Sequence, residues 1–295
     1  MIHEFLPAIG FNRDATRKET NELIKETKKV PNNQKNLCLE EEFRFFEFKK
    51  EFAPQMGIAV YGVSDMEDPV NVEQEYYLPY FYGKRVTSYA DILVEKRPDR
   101  DAYIGICDDI RVEASLIFSV QNSLDWIDEE SAKKYAGAST NLILSGLANE
   151  GTILLPVKKS PEQQEDKEED DKNRMVLVSA ARAGDFSAME HLTLEDIDTY
   201  SQISKRLMKE DIFSIVDSYF RPHGVECDHY SIMGEILQVE SMLNQWTGNE
   251  VYTLTLNVNE LQFDVCVPKA GLIGEPAAGR RFKGNIWLQG CIGLE

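Results

Sequence analysis

The hydrophobic positions near the start of the chain repeat with the spacing of a helix. The apolar side of this repeat is formed by Leu23, Ile24, Thr27 and Val30. Thr16 precedes Glu19 by three residues, which is the pattern of a capping box, and Pro31 follows the last apolar position. The sequence therefore predicts a helix that begins near Thr16 and ends before Pro31.

From residue 42 to residue 158 the pattern changes to short segments rich in aromatic and β-branched residues. These segments are EFRFFEF, MGIAVYGV, EQEYYLPYFYG, ADILVEKR, AYIGI and GTILLPV. Clusters of turn-forming residues such as SDMEDP and RPDRD separate them. Segments of this length, without long helical patterns between most of them, favour an antiparallel sheet over a parallel array of strands and helices.

Residues 158–174 interrupt this pattern with a strongly acidic run, KKSPEQQEDKEEDDKNR. The segment from Glu162 to Asp171 has no apolar residue and cannot offset the entropy lost on ordering. We therefore predict a mobile loop. The apolar runs on either side, ILLPV and MVLVSAA, suggest that the loop is the tip of one hairpin.

After residue 193 helical spacing returns, and then strand-like segments follow. Thr193 with Asp196 resembles a second capping box, and DIFSIVDSYF has apolar residues at helical intervals up to Phe220, before Pro222 and Gly224. Four or five strand-like segments occupy the last 65 or so residues, with short turns between them. Such a set is too small for a sandwich, and closure into a barrel removes exposed edges. A curled open sheet capped by the preceding helix is the alternative.

These patterns together predict an α+β fold. Residues 1–190 are expected to form an antiparallel-sheet domain with flanking helices and the acidic loop at 158–174. Residues 191–224 are expected to form a helical connector, and residues 225–295 a small β-barrel, OB-like or SH3-like.

Charge and cysteine usage restrict the partners and the compartment. The formal net charge is −19, from 32 basic and 51 acidic residues, which disfavours nucleic acid and anionic membranes as partners. No stretch approaches the about eighteen apolar residues of a membrane-spanning helix, and the start of the chain does not resemble a secretory signal. The five cysteines are widely spaced and form no CxxC pair, which is typical of free thiols in the cytoplasm.

The densest group of metal-ligand residue types is HGVECDH, which contains His223, Cys227 and His229. Structural zinc usually takes four ligands that arrive as two close pairs, and the sequence offers no second pair. A location at the end of the predicted helix accounts for His223 equally well, because a histidine at a helix C-terminus can interact with the last carbonyls of that helix. The segment is therefore interpreted as a turn, with a metal site as the alternative, and the sequence indicates no cofactor.

A candidate catalytic group lies in ICDDIR, where Cys107, Asp108, Asp109 and Arg111 are close in sequence. Paired carboxylates beside a thiol and a guanidinium could support acid–base or metal chemistry. Neighbouring residues on a strand, however, point to opposite faces, and Asp-Asp is also ordinary in turns. The sequence contains no GxSxG, HExxH or phosphate-binding glycine motif that would favour an enzyme.

Two segments suggest binding surfaces. In EYYLPYFYG the candidates are Tyr77, Tyr80 and Tyr82, whose rings are either exposed for recognition or buried in a strand with Pro79 at an edge. In GRRFKGNIWLQG the basic and aromatic candidates are Arg280, Arg281, Phe282, Lys283 and Trp287. Such residues on a small barrel can hold an oligosaccharide or single-stranded nucleic acid, although pairing with the chain's own carboxylates is the simpler explanation.

Four segments resemble an uncharacterised family of similar-length proteins from gut Clostridia, known only as a domain of unknown function. These segments are HEFLPAIGF, EFAPQMGIAVYG, AYIGICDDIRVEASLIFSVQN and GRRFKGNIWLQG. The resemblance implies a bacterial cytosolic protein and assigns no active site. The sequence favours a non-enzymatic protein-interaction or scaffold protein with an unknown protein partner. The alternatives are a hydrolase or metal-dependent enzyme at Cys107–Arg111 and a glycan or nucleic-acid binder. Oligomeric state is left open.

Overall fold

The computed structural model describes residues 2–38, 43–65, 71–97, 102–112, 114–127, 140–157, 173–174, 176–181, 183–194 and 216–293. Within these ranges strand far outweighs helix, so the fold is largely β. The predicted α+β class gave the helices too much weight, although the predicted N-terminal antiparallel sheet is present. Among the described residues no helix has the length and apolarity needed to cross a membrane.

The N-terminal helix confirms the local prediction. Helix α1 spans Arg17–Lys29, and its capping box is complete: the Thr16 hydroxyl accepts from the backbone N–H of Glu19, and the Glu19 carboxylate accepts from that of Thr16 at 2.6 Å. A second short helix, α2, spans Leu124–Ile127, and residues 186–194 are also helical. Turns of 3-10 helix occupy Pro7–Ile9, Ile110–Val112 and Lys269–Gly271.

The smaller sheet is a four-stranded antiparallel meander. Its strands are β1 (Asn33–Cys38), β2 (Phe43–Ala53), β3 (Met56–Asp65) and β4 (Glu73–Phe81), paired in that order. Pro79 lies in β4 at the edge of this sheet, where its missing N–H costs no ladder hydrogen bond. Because β2 and β3 have apolar residues on both faces, both sides of this sheet are partly covered.

The larger sheet contains twelve strands of the described chain, drawn from most of its length. Their bounds are β5 (Ser88–Ala90), β6 (Leu93–Lys96), β7 (Tyr103–Asp109), β8 (Ala114–Val120), β9 (Thr140–Leu147), β10 (Gly151–Leu154), β11 (Tyr219–Pro222), β12 (His229–Leu243), β13 (Glu250–Val258), β14 (Leu261–Pro268), β15 (Leu272–Ile273) and β16 (Arg281–Ile292). Strands from residues 88–154 and from residues 219–292 are interleaved in this sheet, so the two parts of the chain share hydrogen bonds.

Five of these strands are paired in a ring. The hairpins β12–β13 and β13–β14 are antiparallel, and β14 pairs with β9 in parallel, with Val265 opposite Gly146. Strand β9 pairs with β16, and β16 pairs in turn with the first half of β12. Apolar residues of these five strands share one core, which includes Leu144, Leu254, Phe263 and Ile286, each at most 1% exposed.

One part of the predicted helical connector is a strand instead. Tyr219 and Phe220, which the helical spacing assigned to a helix end, lie in β11, paired with β12. The Phe220 ring packs against Tyr230 at 4.6 Å between ring centres and against Phe263, and this contact with the sheet core stabilises the extended backbone. The rest of DIFSIVD up to residue 215 lies outside the described residues.

The predicted acidic loop also falls largely outside the described residues, which resume at residue 173. The hairpin expected around it is wrong on its second side, because residues 176–181 of MVLVSAA are helical. Val176 is 69% exposed and Val178 is 8% exposed, whereas side chains two positions apart in a strand would lie on the same face.

The two sheets are joined by side-chain amides rather than by a shared strand. Gln289 of β16 donates to the carbonyl of Pro79 at 2.9 Å and accepts from the N–H of Phe81 at 3.2 Å. Gln121 donates to the carbonyl of Phe81 at 2.7 Å. The amide of Gln289 thus provides for the end of β4 the donor and acceptor that a neighbouring strand would supply.

Candidate functional site

The first predicted site places its thiol in the apolar core. Cys107 lies on β7 and is 3% exposed. Burial, with additional repulsion from the charges of Asp109 and Asp108, raises its pKa to about 12. A thiol with such a pKa remains protonated at neutral pH and is a poor nucleophile.

The two aspartates beside it lie on opposite faces of β7. Asp108 is exposed and accepts a hydrogen bond from Ser115 at 2.6 Å, whereas Asp109 is 5% exposed. Arg111 binds Asp109 through Nε at 2.9 Å and a terminal nitrogen at 2.5 Å, and Ser88 donates at 3.2 Å. Burial alone would raise the pKa of Asp109, but the hydrogen bonds and charge of Arg111 outweigh it, so the pKa is lowered. The structure therefore does not gather Cys107, Asp108, Asp109 and Arg111 into one cleft.

The tyrosines of β4 and its end face the interior. Tyr77 and Tyr80 are 7% and 4% exposed, and Tyr82 is partly buried. The Tyr77 hydroxyl accepts from the N–H of His3 at 2.8 Å, and burial raises the pKa of all three tyrosines. They do not present their ring faces to solvent.

Two of these rings cover a buried ion pair that the sequence analysis did not single out. Lys49 contacts Glu47 at 2.9 Å, and its Nζ lies 5.9 and 5.7 Å from the ring centres of Tyr80 and Tyr82. The Tyr61 hydroxyl donates to Glu47, and Lys49 donates to the carbonyl of Gln121, both at 2.9 Å. The signal in the sequence is a pair of opposite charges two positions apart in the aromatic strand FRFFEFKKEF, which places both on one face.

The aromatic residues of the last strand are also buried. Phe282 is 0% exposed and Trp287 is 4% exposed, so neither offers a surface for stacking a base or a sugar. Arg281 donates to the carbonyls of Leu155 at 3.0 Å and Val216 at 2.7 Å, and Arg280 donates to that of Glu275 at 2.7 Å. Arg280 and Lys283 are both partly exposed, and Lys283 lines an open groove.

In HGVECDH the backbone N–H of His223 donates to the carbonyl of His229 at 2.9 Å, which closes a turn around Cys227. Cys227 is exposed in the turn before β12, where partial burial still raises its pKa. His229 begins β12, its ring 5.2 Å from that of Phe5 and its Nε2 3.9 Å from the carboxylate of Glu4. Among the described residues no three His, Cys, Asp or Glu side chains converge as a metal site would require.

An open groove of about 990 Å³ lies along β16, and we define it by its charged lining residues, which are Arg13, Glu150, Glu250, Lys269 and Lys283. One wall is the N-terminal segment, residues 2–13, and another is formed by the start of β10 and the turn after β14. Asn12, Asn249, Asn285, Thr152 and Ser231 add amides and hydroxyls. A groove of this size with several hydrogen-bonding groups has the dimensions of a ligand site.

A second cavity of about 410 Å³, which we name the recess, adjoins the groove. Both are lined by Pro7, Arg13, Glu150 and Asn285. Glu4, His223 and His229 line only the recess. Two residues predicted from HGVECDH, His223 and His229, therefore line a cavity that adjoins the groove, although among the described residues they belong to no metal cluster.

The groove depends on docking of the N-terminal segment against the β12–β13 turn. Asn244 donates to the carbonyl of Ile9 at 2.7 Å, and Thr247 and Asn249 donate to that of Gly10 at 2.7 and 2.9 Å. Gly10 has φ of 90°, and a Cβ atom there would lie 2.9 Å from side-chain atoms of Asn244 and Val251. Glycine is therefore needed both for the backbone conformation and for the close approach.

The charged pairs of the groove are exposed. Arg13 contacts Glu150 at 3.2 Å, with side chains 59% and 72% exposed. Lys269 contacts Glu250 at 2.6 Å, with side chains 57% and 30% exposed, and this hydrogen bond lowers the pKa of Glu250 and raises that of Lys269. Exposed pairs contribute little stability, so these side chains can exchange partners when a ligand arrives.

Fold and site together define a largely β protein with an open, polar groove assembled from distant parts of the chain. The chain belongs to the family described as "Domain of unknown function, E. rectale Gene description (DUF3881)", whose model matches residues 6–290. This confirms the expected domain-of-unknown-function family, and a Clostridial origin fits it. The comparison with curated proteins found no match. The comparison with solved structures found none either.

Proposed function

We propose that this protein is a non-enzymatic interaction protein that holds a segment of a partner protein in the groove. The observation that carries the proposal is the open groove of about 990 Å³, whose charged side chains form exchangeable pairs. Its lining, within the described part of the chain, contains neither cysteine nor histidine, and its carboxylates already have cationic partners. This composition supports recognition rather than nucleophilic chemistry.

The other two interpretations have less support. The enzyme interpretation required Cys107 and the two aspartates in one pocket, but Cys107 is buried with a raised pKa and the aspartates lie on opposite faces. The glycan or nucleic-acid interpretation required exposed rings, and Phe282 and Trp287 are buried. The net charge of −19 further favours a partner that is not itself strongly acidic.

We also propose that the five strands β12, β13, β14, β9 and β16 form a small barrel that carries the groove on its outside. The ring of strand pairings supports this proposal, as does the apolar core that these strands share. Residues 225–295 provide four of these strands, β12, β13, β14 and β16. The fifth, β9, comes from the part of the chain before residue 190.

A cytoplasmic location is part of the same proposal. All five cysteines are free, and Cys38 and Cys227 are exposed. Exposed free thiols persist where the surroundings are reducing.

Blocking the groove tests the proposed function. Ala270 is exposed and lines the groove, whereas Ala278 is exposed and does not line it. We expect Ala270→Trp to fill the groove and Ala278→Trp to serve as the matched control. Affinity capture from native cytosol with quantitative mass spectrometry should recover a partner with the wild type and the control but lose it with Ala270→Trp. Capture of the same proteins at equal yield by all three would contradict the proposal.

A further inference from the structure

We infer that the groove holds an extended polypeptide segment by its main chain, through the uncharged side chains of Ser231, Asn285 and Thr152. This inference rests on the proposed function and adds the way in which the partner is recognised. It follows from the strand register of the groove floor and from the way in which the same face of β16 already binds other parts of this chain.

The floor of the groove is one face of three neighbouring strands. Ser231 of β12 is opposite Asn285 of β16, and Thr152 of β10 is opposite Lys283, two positions before Asn285. Residues that are opposite each other, or two positions apart in one strand, have their side chains on the same face. All four residues line the groove. Asn285 is exposed and Thr152 is partly exposed, and neither side chain has a hydrogen-bond partner among the described residues, so both can bind a ligand.

The same face of β16 is covered by other segments beyond the groove. Trp287 and Gln289 follow Asn285 at intervals of two and therefore share its face. Trp287 is 4% exposed, and its ring centre lies 5.0 Å from that of His3 and 5.6 Å from that of Phe5. Gln289 is covered by the end of β4. Asn285 thus lies where the described chain leaves this face open.

Gln289 shows how a side-chain amide on this face binds an extended chain. It donates to the carbonyl of Pro79 and accepts from the N–H of Phe81, on the edge of β4 that does not face β3. An asparagine amide has the same donor and acceptor, and serine and threonine hydroxyls can also do both. Every extended chain offers N–H and C=O groups at its edge, whatever its side chains are. The floor therefore favours the main chain of an extended segment.

The probe is a display library of random peptides selected on the intact protein at high salt, which screens binding through exposed charges. Peptides that Ala270→Trp blocks are resynthesised with each peptide bond in turn replaced by an ester, which removes one N–H donor and keeps the side chains. We expect Asn285→Ala and Thr152→Val each to weaken binding about three- to tenfold. At the peptide bond that contacts the substituted residue, the ester should weaken binding to the wild type by a similar factor but not binding to that variant.

The matched control is Asn36→Ala, because Asn36 is an exposed asparagine on β1 that does not line the groove, and this variant should bind as the wild type does. Urea unfolding of each variant separates loss of fold from loss of binding, and Thr152→Val, which keeps the shape of the side chain, carries the test if Asn285→Ala is unstable. Peptides that Ala270→Trp blocks, but whose esters show no dependence on either residue, would overturn the inference and leave the proposed function standing. Failure to recover any peptide that Ala270→Trp blocks would instead overturn the proposed function and the inference with it.

Discussion

The ion pair Lys49–Glu47 and the ion pair Arg13–Glu150 have the same chemistry in opposite surroundings. The first has side chains 9% and 3% exposed and lies between the two sheets, with Tyr61 and the carbonyl of Gln121 as further partners. The second has side chains 59% and 72% exposed on the border of the groove. In the Lys49–Glu47 pair each charge depends on a fixed partner, whereas in the Arg13–Glu150 pair water can replace either partner.

This difference indicates which charged residues are available for function. Asp109 and Arg111 belong with the buried type, because Asp109 is 5% exposed and accepts from both Arg111 and Ser88. A buried charged group whose hydrogen bonds are all made within the protein stabilises one conformation. A charged group that is loosely paired at the edge of a cavity can instead bind a ligand. The residues that look most reactive in the sequence are therefore the ones least free to react.

The largest expected effect comes from breaking the buried pair. Lys49→Met leaves the Glu47 carboxylate buried without its cation, and we expect the free energy of unfolding to fall by about 3–5 kcal/mol. Urea denaturation followed by circular dichroism measures this loss. The exposed counterpart, Arg13→Met, should cost less than about 1 kcal/mol. Equal losses for the two variants would show that burial does not distinguish the pairs.

The second effect concerns the wall of the groove. Gly10→Ala introduces a Cβ atom 2.9 Å from Asn244 and Val251 at a backbone φ of 90°, and we expect a loss of about 2–3 kcal/mol. Gly279→Ala is the matched control, because Gly279 has φ of 81° but no atom within 4 Å of its added Cβ. The control should lose only about 1 kcal/mol from backbone strain. Thermal and urea unfolding of both variants give the comparison, and equal losses would rule out the steric contact.

The third effect depends on pH. Because the folded pKa of Asp109 is lowered, its charged form stabilises the protein above the unfolded pKa, and this contribution is lost as the pH falls through the folded pKa. Asp109→Asn should reduce the free energy of unfolding by about 2 kcal/mol at pH 7, less than for a fully buried pair because Arg111 is partly exposed. The difference from wild type should narrow below about pH 4. Urea denaturation at pH 7 and pH 3 measures it, and a difference that widens on acidification would contradict the direction of the shift.

The smallest effect is expected in the groove itself. A double-mutant cycle with Arg13→Ala and Glu150→Ala should give a coupling energy below about 1 kcal/mol that decreases with added salt. Unfolding free energies of the wild type, the two single variants and the double variant, measured at low and again at high ionic strength, give the coupling energy at each salt concentration. A coupling of several kcal/mol would place this pair with the buried type and argue against its exchange with a ligand.

Local features of the fold were accessible from the sequence. The capping box of Thr16 and Glu19 involves residues three apart, and the helix it predicts is present. Strands β2, β3 and β4 of the smaller sheet follow from aromatic and β-branched segments separated by turns, whereas β1 contains no such residue and was not predicted. The helix predicted at Tyr219 and Phe220 was wrong, because a short apolar pattern is compatible with a helix or a strand. Packing of Phe220 against Tyr230 favours the strand.

The groove was not accessible in the same way. Arg13 and Glu150 are 137 positions apart, and the sequence gives no signal that they meet. The N-terminal segment has no regular period beyond one turn of 3-10 helix, and the carbonyls of Ile9 and Gly10 are bound by the side chains of Asn244, Thr247 and Asn249. Lys283, His223 and His229 were noticed for other reasons, and only the fold brings them to adjoining cavities.

The position of β16 has a consequence for synthesis of the protein. This strand pairs with β8, β9, β10 and β12. The hydrogen bonds of these four earlier strands therefore remain incomplete until residues 281–292 have been synthesised. While the ribosome is still translating those codons, the nascent chain exposes unpaired strand edges of the kind that aggregate. We therefore expect the hydrogen bonds of the larger sheet to be completed only after residues 281–292 have left the ribosome.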